Sequence, residues 1–182
     1  MKVYNHKDAF EHLKYLFKFQ KEDCFIAVFT ESAVHYGEEF WFNEDKAKEL
    51  NLETFNLQRK GGAIVTSPGD VVYCFFLRHG EKFLNNQISD FLINKLKDKN
   101  INTQVVDNDL LIDGKKFFGC MQQQIGKMHF IGGHISINCN LDLIRQICTK
   151  PTEKIPGGLS TYQITTEDIV DWLNEFWFRY KK

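Results

Sequence analysis

The chain has 182 residues, roughly the length of one domain and enough to bury about 70% of its unfolded surface. Apolar residues are 43% and charged residues 26%, which excludes wholesale disorder, and 23 basic against 24 acidic residues leave a net charge of −1 and no field for bulk nucleic-acid binding. No apolar run is long enough to span a bilayer, the start MKVYNHKDAFEH lacks the apolar core of a secretory signal, and five cysteines without CxxC spacing read as reduced thiols. A cytoplasmic protein with no membrane or nucleic-acid partner is therefore expected. The six histidines do not gather near cysteines at ligand spacing, so no protein-held metal is expected either.

In chain order, residues 7–20 have helical period, with Phe10, Leu13, Leu16 and Phe17 on one face. The run 24–29 (CFIAVF) reads as a buried strand, and Ala33 to Tyr36 as a second short one. Asn43 is an N-cap for a short helix to about Leu50. A Gly-rich segment, Gln58 to Ala63, precedes a strand and the breaker Pro68-Gly69, and VVYCFFLR (71–78) is a strong strand. Residues 84–98 return to helical period through Leu84, Ile88, Phe91, Leu92 and Leu96. From 102 to 138 the pattern is β, with runs separated by Asp113-Gly114, Ile125-Gly126 and Gly132-Gly133, the first a hairpin signal. A short helix over 141–148, a loop over 151–158, and a last helix capped by Thr165 or Thr166 complete the chain. The fold class is α+β: one domain with helices on a mixed, largely antiparallel central sheet.

Three segments join glycine to polar or basic residues. In Arg59-Lys60-Gly61-Gly62-Ala63, glycine lets a ligand approach backbone N–H groups and two cations add positive charge. A basic turn is the plainer account. In NDLLIDGKKFFGCMQ (108–122), a hairpin carries Lys115 and Lys116 towards Gly119; the two alternate faces, so at most one points inward, where it would meet a phosphate or carbonyl oxygen. A solvated hairpin tip is the alternative. In FIGGHISIN (130–138), the paired glycines suggest a bulge or a close backbone neighbour, and His134 is either a general base or a hydrogen-bonded strand histidine.

In order, these segments resemble the three motifs of the lipoate–protein ligase family, within the superfamily that also holds biotin ligases and octanoyltransferases. KGGAIVTSPGD (60–70) resembles GGGAVxHDxGN, with Thr66 at the His, Ser67 at the Asp and Asp70 at the Asn. The hairpin resembles ND-hydrophobic-DGKKxxGSAQ, with Lys116 on the catalytic lysine and Cys120 on the Ser. FIGGHISIN resembles HHGTLLLN, with Gly133 on the Gly. The resemblance implies a class II synthetase-like catalytic domain, without the accessory C-terminal domain of many such ligases. ATP, with Mg2+, and lipoate or octanoate would form an acyl-adenylate, and the acyl group would pass to a lysine of a lipoyl-domain acceptor protein. It further implies that Lys116 is catalytic, and that Arg59, Lys60, Gly61, Gly62, Ala63, Asp109, Gly119, Cys120, Gly133 and His134 surround the acyl and nucleotide groups.

The sequence also departs from the family. Asn56-Leu57 stand at its Arg-Arg pair, with Arg59 and Lys60 a few residues later, and Ile131-Gly132 stand at its double His. A separate accessory subunit could supply the accessory C-terminal domain of such ligases, or the adenylation step could be absent. An ATP-independent octanoyl or lipoyl transferase would need an acyl-cysteine. Gly157 and the stretch Asn100 to Asn102 occupy the two places where that Cys is expected, leaving Cys120 and Cys139 as candidates. A non-catalytic protein that binds an acyl-bearing domain is the third reading.

Overall fold

A computed structural model describes residues 1–39, 41–57, 62–78, 84–150 and 154–180. The seven-residue apolar run of β6 (Val71–Leu77) is the spine of the larger sheet, because both of its faces are buried. On one side it pairs with β2 (Asp23–Val28), which in turn pairs with β1 (Lys2–Asn5). On the other it pairs with β10 (Met128–Ile135), then β9 (Lys115–Ile125), β8 (Asp109–Ile112) and β7 (Gln104–Val106). The two-residue β11 (Ile155–Pro156) pairs with β9. All these pairings are antiparallel except β1 with β2 and β11 with β9, so the mixed, largely antiparallel sheet expected from the sequence is the one observed. A smaller sheet, in the order β4 (Glu53–Asn56), β3 (Ala33–Tyr36), β5 (Ala63–Thr66), packs with α2 (Glu44–Glu49) and α4 (Leu141–Ile147).

The alternation of strand side chains decides what each face covers. Ile26, Tyr73, Phe75, Ile131 and Phe118 point to one face, where α3 (Leu84–Asp98) and α5 (Thr166–Tyr180) bury Ile88, Leu92, Leu96, Ile169 and Leu173 against them. Burying each such side chain contributes about 1.5–3 kcal/mol. Phe25, Ala27, Cys74, Phe76 and Phe130 point to the opposite face, which α1 (His6–Phe19) covers with Ala9, Leu13, Leu16 and Phe17. Asn5 caps α1 by accepting from Asp8 N, and Asn43 caps α2 by accepting from Lys46 N. Thr165 closes a reciprocal cap on α5: its hydroxyl accepts from Asp168 N, and its own N donates to the Asp168 carboxylate.

Several boundaries differ from the sequence reading. Gly132-Gly133 do not separate two runs; β10 passes through both, because the neighbouring side chains Phe130 and Tyr73 fill the space over them. The strands β1, β4 and β11 are short, partly polar elements that periodicity did not mark. The expected Asp113-Gly114 hairpin is present, with both residues left-handed (φ +51° and +73°), as a type I′ turn requires. Asp107-Asn108 form a second such turn between β7 and β8 (φ +51° and +68°).

Candidate functional site

On the α1 face, strand alternation sets Val72 and Cys74 of β6, Gly132 and His134 of β10, and Gly119 and Met121 of β9 side by side. Between α1 and this floor lies a cavity of about 760 Å³. Its inner end is apolar, walled by Phe10, Leu13, Phe17, Phe25, Phe130 and Ile125. Its other end carries Lys116, Lys154, Asp109, His134, Ser136 and Cys139. One space therefore offers a hydrophobic bore and a charged head.

The β8–β9 hairpin builds the head. Lys116 is the residue of the Lys115-Lys116 pair that turns inward; Lys115 is exposed. The Lys116 Nζ lies 3.0 Å from Asp109 Oδ2 at the start of β8. Gly119 makes room for this pair: a Cβ there would stand 2.9 Å from the Lys116 Nζ and 3.3 Å from Asp109 Oδ1. A third partner was not legible in the sequence. The parallel pairing of Ile155-Pro156 with Lys115-Lys116 delivers Lys154, whose Nζ lies 2.9 Å from Asp109 Oδ2 and 3.3 Å from Asp107 Oδ2. Burial opposes the Lys154 ammonium, but hydrogen bonds and charge from Asp109 and Asp107 outweigh it and hold its pKa above the ordinary lysine value. Lys116 and Lys154 together balance Asp109 and the exposed Asp107, so the head carries no net negative charge and offers two ammonium groups to an anion.

Asp70, which the sequence marks only as the counterpart of the Asn in the first motif, is the second organiser. It follows the Pro68-Gly69 turn, where Gly69 has φ +91°, and it is buried. Its Oδ2 accepts from Ser67 N and lies 3.0 Å from His134 Nε2; its Oδ1 accepts from Ile137 N and Asn138 N. His134 is thus paired through one ring nitrogen while lining the cavity.

The remaining expected residues fall in different places. Arg59, Lys60 and Gly61 lie outside the described residues. Ala63 lines the cavity, whereas the bare Cα of Gly62 is covered by the indole of Trp41. Trp41 itself carries the Lys150 ammonium 3.8 Å above its ring, and both line the cavity. Gly133 opens space on the far face of the sheet: a Cβ there would lie 2.5 Å from Cε1 and Cζ of Tyr73. Cys120 contributes to the cavity lining and also packs against that same far cluster. Burial, then the Asp109 charge, push its thiol up to about 11 against a partial pull from Lys116. Burial and Asp70 likewise raise the Cys139 thiol. Neither cysteine is set up as a thiolate.

At the opposite wall, the buried His6 faces Glu31 and Glu53. The Lys7 ammonium bridges those carboxylates at 3.0 and 3.2 Å, filling the space a cation would take. By the head, Asp109 is engaged by two lysines and Asp70 by four N–H groups. A magnesium ion there would depend on phosphate oxygens and water for its ligands. No helix among the described residues is long and apolar enough to cross a membrane.

The family profile of the lipoyl protein ligase A/B catalytic domain matches residues 4–177. The chain belongs to that family. Solved structures share its fold. P. falciparum LipL1, in complex with lipoate, superposes with TM-score 0.79 at 16% identity, over 97% of this chain and 60% of its own. The chain thus spans less than two thirds of that relative's length. Lipoate-protein ligase A bound with ATP gives 0.77 at 11% identity, over 97% of this chain and 81% of its own. A bipartite lipoate protein ligase from Thermoplasma acidophilum, studied with its E2 lipoyl domain, gives 0.76 at 12% identity, over 96% and 81%. At these identities the likeness is one of fold. No curated protein matches the chain by sequence.

Proposed function

We propose that this family member activates lipoate, or a similar short-chain acid, with ATP and passes the acyl group to a lysine of a lipoyl-type acceptor domain. The supporting observation is the cavity itself, an apolar bore ending at the Lys116–Asp109–Lys154 cluster. A substrate with an aliphatic tail and an anionic head fits that order of surfaces. The tail lies on Phe25, Phe130 and Met121, and its carboxylate reaches the lysines.

Each residue then has a task in this reading. Lys116 donates to the carboxylate oxygen of the acid and to the phosphate oxygens of the adenylate, stabilising charge as it builds there. Asp109 aims the Lys116 ammonium, and Lys154 offsets the Asp109 charge so that the pair does not repel an anionic substrate. Gly119 keeps the seat of Lys116 clear. Lys150, on Trp41, adds a further positive charge for the nucleotide phosphates. ATP and its magnesium ion arrive together as substrate. The raised thiol pKa of Cys120 and of Cys139 weighs against an acyl-cysteine route. A separate accessory chain, as in the bipartite archaeal ligase, belongs to the same proposal.

The test is ATP-dependent attachment of lipoate to a purified lipoyl domain, read by intact mass. Lys116→Ala should lower the rate by about 10²–10³-fold, the usual loss for one donor to a developing oxyanion. Unchanged labelling in that variant refutes the role given to the lysine.

A further inference from the structure

We infer that His134, held by Asp70, is the general base that takes the proton from the acceptor amine during acyl transfer. The inference rests on the proposed function and assigns the one proton that reading leaves without a destination. An amine that attacks an acyl carbonyl must shed a proton as the C–N bond forms. Lys116 is a cation and a donor, so it cannot receive it.

The geometry places an imidazole where that proton leaves. In the β9–β10 register His134 is directly opposite Gly119. Lys116 folds back over Gly119, its Nζ 2.9 Å from where a Cβ would stand. Directly opposed residues project to the same face, so ring and ammonium are neighbours at the head of the cavity. The buried Asp70 fixes the ring: Nε2 donates to Oδ2 at 3.0 Å, while Ser67 N, Ile137 N and Asn138 N hold the carboxylate in place. With the ring proton on Nε2, the lone pair is on Nδ1, which has no hydrogen-bond partner among the described residues. The other carboxylate at the head, Asp109, is occupied by Lys116 and Lys154. Both members of this pair also depart from the family motifs, Asp70 from the Asn of the first and His134 from the Thr of the third.

The step balances. The neutral acceptor amine attacks the carbonyl carbon of the acyl-adenylate and forms the C–N bond. The bond from that carbon to the phosphate oxygen breaks, and its electron pair leaves with AMP. The surplus proton on nitrogen passes to His134 Nδ1 and then to water. Lys116 holds the carbonyl oxygen, His134 the nitrogen; Asp70 is a positioning residue that sets tautomer and orientation.

The experiment separates this step from activation. Wild type, His134→Gln and Asp70→Asn are each given ATP and lipoate, with either a lipoyl domain or hydroxylamine as acceptor. Hydroxylamine is neutral at pH 7 and weakly basic, so after attack it sheds its proton to water without a positioned base. His134→Gln should lose transfer to the lysine by about 10²-fold or more, yet form hydroxamate within about threefold of wild type. Asp70→Asn should show the same split, which a merely structural role would not produce. With His134→Ala, added imidazole should restore transfer, and this readout stands if the glutamine variant fails to fold. Wild-type transfer by His134→Gln, equal loss of both products, or no rescue by imidazole overturns the inference alone. No hydroxamate from the wild type overturns the adenylation reading, and this inference with it.

Discussion

Two glycines on paired strands face opposite sides of the sheet, and exchanging each for alanine should separate chemistry from stability. At Gly119 a new Cβ would meet the Lys116 Nζ at 2.9 Å and its Cε at 3.0 Å. Ordinary contact begins near 3.5 Å, so the ammonium must retreat by about 0.5–1 Å. The obstacle is the flexible end of a long side chain, so the fold barely registers it. Alanine gains about 0.5–1 kcal/mol over glycine in a strand, against the loss of a half-exposed ion pair, which is about 0–1 kcal/mol. Gly119→Ala should therefore melt within about 4 °C of wild type. Its transfer rate should fall by about 10²-fold, the scale expected when a catalytic group is misplaced by about 1 Å. At Gly133 the obstacle is the fully buried Tyr73 ring, 2.5 Å from the new Cβ with no room to retreat. Overpacking of that kind costs about 1–3 kcal/mol, a fall in Tm of roughly 2–12 °C at this size. The assays are calorimetric unfolding and lipoate transfer to a lipoyl domain. Wild-type transfer by Gly119→Ala would refute the seat assigned to Lys116. A Tm loss in Gly119→Ala as large as in Gly133→Ala would refute the placing of the two glycines on opposite faces.

Two further outcomes follow from the groups around the head. Cys120, pushed up to about 11, should be alkylated slowly at pH 8, its rate climbing as pH approaches that value, and Cys120→Ser should keep transfer activity; rapid stoichiometric labelling at neutral pH would contradict its burial. The same shift has a sign for stability. The thiol ionises in the unfolded chain from its ordinary value of 9.0 but stays protonated in the folded chain to about 11, so wild type should lose stability between those pH values relative to Cys120→Ser, as measured by denaturant unfolding. Tyr73 buries a hydroxyl with no hydrogen-bond partner among the described residues. Tyr73→Phe should raise stability by about 1 kcal/mol, roughly 2–4 °C in Tm, without loss of transfer; a lower Tm would show that the hydroxyl has a partner.

What the sequence disclosed was mostly local. The helical faces around Leu16, Leu92 and Leu173 follow from spacing alone, because a 3.6-residue period needs no partner to be seen. The Asp113-Gly114 turn is legible for the same reason: few residue pairs tolerate two left-handed conformations in a row. Lys116 could be narrowed to one of two lysines, since strand alternation allows at most one inward. Non-local pairing hid the rest. Lys154 reaches Asp109 only because a two-residue strand docks beside Lys115-Lys116, and two residues carry no period. Gly132 and Gly133 look alike in sequence, yet one faces the α1 side and the other Tyr73, a distinction fixed by register with β6. Asp70 and His134 are 64 positions apart and are joined only by the β6–β10 crossing.

That crossing bears on how the proposed chemistry would be met by residues that differ from the family motifs. The sequence lacks the Arg-Arg pair and the double His of the family motifs. In their place the described site has three lysines from separate elements: Lys116 on a hairpin, Lys154 ahead of a docked strand, and Lys150 on Trp41. A point-charge ammonium can serve an anion from many directions, whereas a guanidinium needs its fork aligned in a plane. Lysines supplied by different loops can therefore replace arginines without the backbone between them being rebuilt. The same reasoning fixes what cannot be moved. A proton acceptor must be aimed, and His134 is the cavity residue whose ring is clamped by a buried carboxylate with four N–H partners. Substituting Lys150 should thus raise the KM for ATP, and substituting Lys154 the KM for the acid, with the rate at saturation largely intact. Substituting His134 should do the reverse, and steady-state kinetics on the three variants would show whether charge and aim are divided in this way.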